Sequence, residues 1–239
     1  MKGIILAGGS GTRLYPLTKV TNKHLLPVGR LPMIYHPIYK LTEAGIEDIL
    51  IVTGVEHMGD IVNLLGSGRN FKCRFTYKVQ DEAGGIAQAL ALGREFADDG
   101  KIIVILGDNV FEDKLKPFVS RFEKQKRGAR ILVKEVSDPQ RFGVVEFKDS
   151  KVISIEEKPK KPKSKFAVTG IYFYDAEVFK IIRGLRPSGR GELEISDVNS
   201  VYLKQSHLEY DILSGWWTDA GTFESLERAT LMVERKIKL

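Results

Sequence analysis

The segment that most constrains this chain is its opening, Lys2-Gly3-Ile4-Ile5-Leu6-Ala7-Gly8-Gly9-Ser10-Gly11-Thr12-Arg13. The unbroken apolar run Ile4 to Leu6 is the pattern of a strand covered on both faces, and such strands belong to parallel sheets layered with helices. The run enters a loop with three glycines, which let a backbone turn tightly and bring its N–H groups close to an anion. Arg13 ends the loop with a fixed cationic fork suited to phosphate. Locally, two readings stay open: a phosphate cradle, or a tight strand-to-helix turn that binds nothing. Neither common phosphate template fits. No lysine follows Gly11 as a P-loop requires, and Gly9-Ser10-Gly11-Thr12-Arg13-Leu14 lacks the third glycine of the dinucleotide fingerprint.

Strand and helix patterns alternate after the loop. Helical periodicity covers residues 32–44, with Ile34, Ile38 and Leu41 on one face, and then 60–65, 86–96 and 115–124. Strand patterns fall at 49–52, 71–79, 101–106 and 129–136. This alternation predicts a doubly wound, mainly parallel, Rossmann-like α/β sheet. The pattern then changes. Residues 142–147 and 151–155 flank Lys148-Asp149-Ser150 as a hairpin, a strand follows at 169–174, and helices are expected at 176–184, 195–205 and 222–236. The second part therefore reads as an antiparallel extension. No repeat or long linker interrupts the chain, so 1–239 is expected to form one domain.

With 239 residues, of which 43% are hydrophobic, the chain can bury a sizeable core. No apolar stretch is long enough to span a bilayer, and the opening run is too short for a signal peptide. The single cysteine, Cys73, excludes an internal disulfide framework and fits a cytoplasmic location. It is expected in a strand, inert. The net charge of +6, from 37 basic and 31 acidic residues, suits anionic ligands. The densest basic run, Lys158 to Lys165, is interrupted by prolines and carries no aromatic residue, so it reads as a solvated loop rather than a nucleic-acid platform.

Ligands of open α/β sheets bind beyond the carboxyl ends of strands. Gly107-Asp108-Asn109 follows the strand pattern ending at Leu106, where Asp108 could hold a hard metal ion, cap a helix or serve a turn. Asp219, among two tryptophans and two glycines in Gly215 to Thr222, is a second acidic candidate with helix capping as its alternative. His24, His36, His57 and His207 show no metal-ligand spacing, and no hydrolase elbow or Cys–His signature is present. Chemistry without a protein nucleophile points to phosphorus, where positioning and charge neutralisation dominate.

Taken together, Leu6-Ala7-Gly8-Gly9-Ser10-Gly11-Thr12-Arg13-Leu14-Tyr15-Pro16 and Asn22-Lys23-His24-Leu25-Leu26-Pro27 resemble the sugar-1-phosphate nucleotidyltransferases. Further matches are Gln80, Gly85-Ile86-Ala87-Gln88-Ala89, Gly107-Asp108-Asn109, Arg141 to Val145, Glu156-Glu157-Lys158-Pro159, Val168-Thr169-Gly170, Arg190 to Ile195 and Trp217 to Thr222. Asp81 to Gly84, Phe142 and Ser196 depart from the usual family residues. The likeness is greatest to members that make dTDP-glucose from dTTP and glucose 1-phosphate, on the route to dTDP-rhamnose. It implies that Leu6 and the loop Gly8, Gly9, Ser10, Gly11, Thr12, Arg13 bind the nucleotide together with Lys23, Gln80, Gly85 and Asp108. It implies sugar-phosphate contacts at Asn109, Gly143, Glu157, Lys158 and Val168, and Mg²⁺ on Asp108 and Asp219. Arg13, Lys23, Asp108 and Asp219 are the implied catalytic residues. Residues 1–136 are then mainly nucleotide-binding and 137–239 mainly sugar-phosphate-binding. The resemblance also implies a homo-oligomer without nucleic-acid or membrane partners. Longer relatives carry extra helices beyond the expected helix end at Lys236, which contribute to subunit contacts and a regulatory nucleotide site. Rival readings are a uridylyl- or cytidylyltransferase, a silent nucleotide-sugar sensor, and a basic nucleic-acid-binding protein.

Overall fold

The computed structural model describes residues 1–237, with side chains through Arg235. In chain order the first elements are β1 (Lys2–Ala7), β2 (Pro27–Val28), β3 (Leu31–Pro32), α1 (Tyr35–Glu43), β4 (Asp48–Gly54), α2 (Met58–Leu65) and β5 (Arg74–Gln80). Next come α3 (Ile86–Ala91), α4 (Arg94–Ala97), β6 (Ile102–Leu106), β7 (Asn109–Phe111), α5 (Lys116–Lys124) and β8 (Ala129–Glu135). The remainder is β9 (Gly143–Lys148), β10 (Lys151–Glu157), β11 (Phe166–Tyr174), α6 (Glu177–Arg183), α7 (Ile195–Lys204), β12 (Leu208–Ile212), β13 (Trp217–Asp219) and α8 (Phe223–Ile237). The fold is mixed α/β, as the alternation requires.

The chain divides into two compact units. The glycine-loop unit comprises Lys2–Ala83, Ile105–Lys116 and the chain from Gly215 onward. Here β1 pairs in parallel with β4, and β4 with β5. Ile4 and Ile5 of β1 and Ile49 to Val52 of β4 are fully buried, as strands covered on both faces must be. Helix α1 turns Ile38 and Leu41 inward. A side chain at Gly3 would sit 3.0 Å from Leu41 Cδ1 and 3.1 Å from Ile46 Cγ2, so the helix packs where only hydrogen fits. A second small sheet pairs β13 with β7.

The hairpin unit comprises Gly84–Val104 and Pro117–Ser214. Its strands are mostly antiparallel: β9 with β10, and β11 with both β8 and β9. The exception is β12, which runs parallel to β8. The hairpin turn is made by Asp149 and Ser150, both at positive φ (49° and 60°), the handedness that matches strand twist in a two-residue loop. Phe122 and Phe173 pack 5.5 Å apart in the core of this unit.

Several sequence expectations are corrected. Residues 86–96 form two short helices, because the chain tightens at Leu92 and Gly93, whose N–H groups bond Ala89 and Leu90. Cys73 lies outside β5, after a left-handed Lys72 (φ 56°) that turns the chain before the strand starts. Residues 32–34 precede α1, since Pro32 belongs to β3. The short strands β2, β3, β7, β12 and β13 lie outside the expected pattern. Of these, β12 alternates Leu208, Tyr210 and Ile212 and was legible.

Candidate active site

In the glycine-loop unit, β1 ends at Ala7 and the loop that follows is held open by its glycines. Gly9 (φ 96°) and Gly11 (φ 62°) are left-handed. Gly8 is required for another reason: a Cβ there would lie 2.8 Å from Gln80 Oε1, so its absence lets the Gln80 amide lie against the loop. Gly9, Ser10, Thr12 and Arg13 are exposed. Among the described residues, no backbone N–H from Gly9 to Arg13 meets a protein acceptor. Successive free N–H groups around left-handed glycines form a concavity suited to an anion.

Lys23 is delivered by a short turn, Lys23–Leu25, capped by Asn22. Asn22 Oδ1 accepts from His24 N at 2.9 Å, and Asn22 Nδ2 donates to the Ala7 carbonyl at 3.3 Å, tying the turn to the end of β1. Lys23 Nζ lies 2.6 Å from Asp108 Oδ2. Asn109 Nδ2 donates to the other Asp108 oxygen at 2.9 Å. Burial alone would raise the Asp108 pKa, but the Lys23 ammonium and the Asn109 amide override it and hold the carboxyl well below the usual range. His24 is buried beside this pair, and burial with the Lys23 charge pulls its pKa down to about 3, so it is neutral. The Leu6 carbonyl accepts from Gly107 N at 2.9 Å, which sets the Asp108 turn beside the loop.

The β7–β13 ladder then joins the two carboxylates that sequence could not connect. Asp219 is the register partner of Asn109, and Ala220 N donates to the Asp108 carbonyl at 2.8 Å. A Cβ on Gly221 would lie 3.3 Å from Arg13 Nη2 and 3.4 Å from Asp219 Oδ2, so Arg13 and Asp219 flank the same glycine. Asp219 ends a strand and is not the cap of α8; Thr222 is, accepting from Ser225 N. Trp217 Nε1 donates to Asn109 Oδ1 at 2.7 Å and thereby orients the amide that holds Asp108. By sequence Trp217 is only one of the two tryptophans beside Asp219.

The hairpin unit gathers the other candidates. A Cβ on Gly143 would lie 3.3 Å from Glu157 Oε2 and 3.7 Å from Val168 Cγ2, so these three residues adjoin. Lys158 is left-handed (φ 44°), and its Nζ is 3.9 Å from Glu157 Oε1. Such backbone strain in a non-glycine residue is concentrated at functional positions. Burial raises the Glu157 pKa despite the opposing Lys158 charge. Arg190, which the sequence reading gave no role, grips Glu194 through two nitrogens and lies 3.7 Å from Glu157. Gly85 is in this unit and Gln80 in the other. The left-handed φ of 100° at Gly85 and the Leu193 carbonyl, 2.6 Å from where its Cβ would be, make Gly85 a packing glycine.

The remaining candidates carry little chemistry. Burial pushes the Cys73 thiol up to about 11, which leaves it inert as expected. Lys163 of the basic run pairs with Glu146 at 2.8 Å. No helix among the described residues is long and apolar enough to cross a membrane. No three His, Cys, Asp or Glu side chains among them cluster as a metal cage. Two carboxylates do fit an oxygen-loving divalent ion that keeps waters and substrate phosphates as its other ligands.

A glycine loop with unbonded N–H groups, a lysine and an arginine beside it, and two carboxylates joined through one ladder define a nucleotide-handling enzyme. The sequence profile of the nucleotidyl transferase family matches residues 2–236, and the chain belongs to that family. It is 47% identical, over 98% of its length and 83% of the relative's, to the glucose-1-phosphate thymidylyltransferase of Neisseria meningitidis. A Bacillus anthracis structure solved with sucrose and described as a glucose-1-phosphate thymidylyltransferase is 61% identical, with TM-score 0.94 over 97% of this chain and 94% of that one. A UDP-glucose pyrophosphorylase bound to UDP-glucose is 26% identical, with TM-score 0.88 over 98% of each chain.

Proposed function

We propose that this enzyme transfers the deoxythymidylyl group of dTTP to α-D-glucose 1-phosphate, giving dTDP-glucose and pyrophosphate. The observation that carries the reading is the near full-length identity to relatives named for this reaction. The loop geometry supports it. The free N–H groups of Gly9 to Arg13, with Arg13 and Lys23, are assigned to the triphosphate. Leu6, Gln80 and Gly85 are assigned to the nucleoside, and Asn109, Gly143, Glu157, Lys158 and Val168 to the sugar phosphate. Asp108 and Asp219 would hold Mg²⁺, which when bound supplies charge neutralisation on the phosphates.

The attacking group is a phosphate monoester with a second pKa of about 6, already ionised at neutral pH, so no general base is needed. That accounts for a site without a catalytic His or Cys; His24 is buried and neutral. The barrier is the approach of two anions, which the positive charges of Arg13, Lys23 and Lys158 would lower. The enzyme is taken to be a cytoplasmic homo-oligomer with no nucleic-acid or membrane partner. The deciding assay follows pyrophosphate release with glucose 1-phosphate and each of dTTP, UTP, CTP and GTP. Dominance of dTTP is expected; dominance of UTP would favour the reaction of the pyrophosphorylase relative instead.

A further inference from the structure

Thr18 lies outside every role assigned so far, yet it is buried, 6% exposed, directly behind the glycine loop. Its hydroxyl donates to the Gly11 carbonyl at 2.7 Å, and Leu14 N donates to the same oxygen at 2.9 Å. The Gly11–Thr12 peptide is trans, so its carbonyl and its N–H point to opposite sides. Pinning the carbonyl inward with two donors turns the Thr12 N–H outward, into the row of free N–H groups. Thr18 also fills the space beside Gly11: a Cβ there would lie 3.0 Å from Thr18 Cγ2 and 3.3 Å from Lys23 Cβ. Gly11 is therefore clasped between Thr18 and the residue that carries the ammonium of the site.

We infer that Thr18 is a positioning residue for triphosphate binding, acting through the Gly11 carbonyl to hold the loop's N–H groups and Lys23 in register. The inference rests on the proposed nucleotide role of the loop. Without the hydroxyl, Gly11 keeps one donor, and its left-handed peptide is free to rotate about φ and ψ at little steric cost. Phosphate affinity should fall while the rest of the molecule is unchanged.

The test uses the full chain, titrated calorimetrically with dTTP and, separately, with inorganic tripolyphosphate. Thr18→Val, which keeps the shape and removes the hydroxyl, should weaken both ligands by the same factor, roughly five- to tenfold for one lost hydrogen bond. Thr18→Ser, which keeps the hydroxyl, should stay close to wild type. KM for glucose 1-phosphate should not move in either. Should Thr18→Val fold poorly, Thr18→Ala against Thr18→Ser makes the same comparison without crowding. Wild-type tripolyphosphate binding by Thr18→Val, or an equal loss in Thr18→Ser, would overturn the inference. The activity reading fails separately: if wild type releases no pyrophosphate from dTTP and glucose 1-phosphate, that reading falls, while Thr18-dependent tripolyphosphate binding still upholds the role of Thr18.

Discussion

Lys23 and Asp108 hold each other's charge in a place where water is nearly excluded, their side chains 13% and 12% exposed. Removing either one leaves the other buried and unpaired, which costs about 3–5 kcal/mol. His24 beside them is kept neutral by burial, with its pKa lowered from 6.5 to about 3. The unfolded chain therefore takes up a proton near pH 6.5 that the native chain refuses. Stability from this group is complete above that pH and falls by up to about 1.4 kcal/mol per unit as pH drops toward the folded value. Urea unfolding at pH 7 and pH 5 should show that slope in the wild type and lose it in His24→Gln; an equal slope in both would refute the assignment. Glu157 is the opposite case. Burial raises its pKa, so the fold prefers the protonated acid and loses stability as pH rises through the folded value. Glu157→Gln should melt at or above the wild-type temperature at pH 7.5, with the gap closing toward pH 4.5. Its KM for glucose 1-phosphate should rise about tenfold or more while KM for dTTP holds, the trade expected where a buried charge serves a ligand. These residues were singled out by motif. Their pairing was not legible, because Lys23 and Asp108 are 85 positions apart.

At the scale of elements, the short strands matter most to the site and were the hardest to read. β7 and β13 are three residues each, too short for an alternating pattern to register. Their ladder nonetheless decides that Asp219 faces Asn109. The following helix starts from Thr222 and Ser225, whose hydroxyls and amides bond reciprocally: Thr222 N to Ser225 Oγ at 3.0 Å and Ser225 N to Thr222 Oγ1 at 3.3 Å. This pairing satisfies donors that a helix start leaves orphaned. Thr222→Ala should cost about 1 kcal/mol, read as a drop of about 2–4 °C in thermal melting for a chain of this size. No change in melting would mean that the cap contributes nothing. The long apolar strands were legible at their centres, since burial on both faces writes itself as an apolar run, but β11, expected at 169–174, begins at Phe166, where the charged Lys165 ends the loop before it. The break of the 86–96 helix was signalled only by Gly93, a single glycine within an otherwise helical pattern.

For the molecule as a whole, the relevant number is how few acidic ligands the chain supplies. With no cage of three acidic or histidine side chains among the described residues, and with Asp108 already bonded to Lys23, the protein alone offers a divalent ion little. Mg²⁺ by itself should leave the melting temperature nearly unchanged. Mg²⁺ with dTTP should raise it, because ligands that bind only the native state stabilise by mass action, about 2.7 kcal/mol at a hundredfold excess over Kd. Equal stabilisation by Mg²⁺ alone would show a preformed metal site and refute this account. The net charge of +6 suits such anionic ligands, and a nucleic-acid reading rests only on that charge and the lysine run from Lys158 to Lys165.

The class of fold and the identity of the chemical groups follow from the residues alone. Apolar runs and helical periodicity are local consequences of burial, and an ordered set of motifs across the chain specifies a family more tightly than any one of them. Adjacency is settled only in the folded chain. The ladder that joins Asp108 to Asp219, the amide chain from Trp217 through Asn109 to Asp108, and the clasp of Thr18 on Gly11 are contacts between segments that local pattern cannot link. The opening loop shows the division well. Its glycines announce a tight turn near an anion, but the hold on the Gly11 carbonyl comes from Thr18, a buried hydroxyl seven residues on.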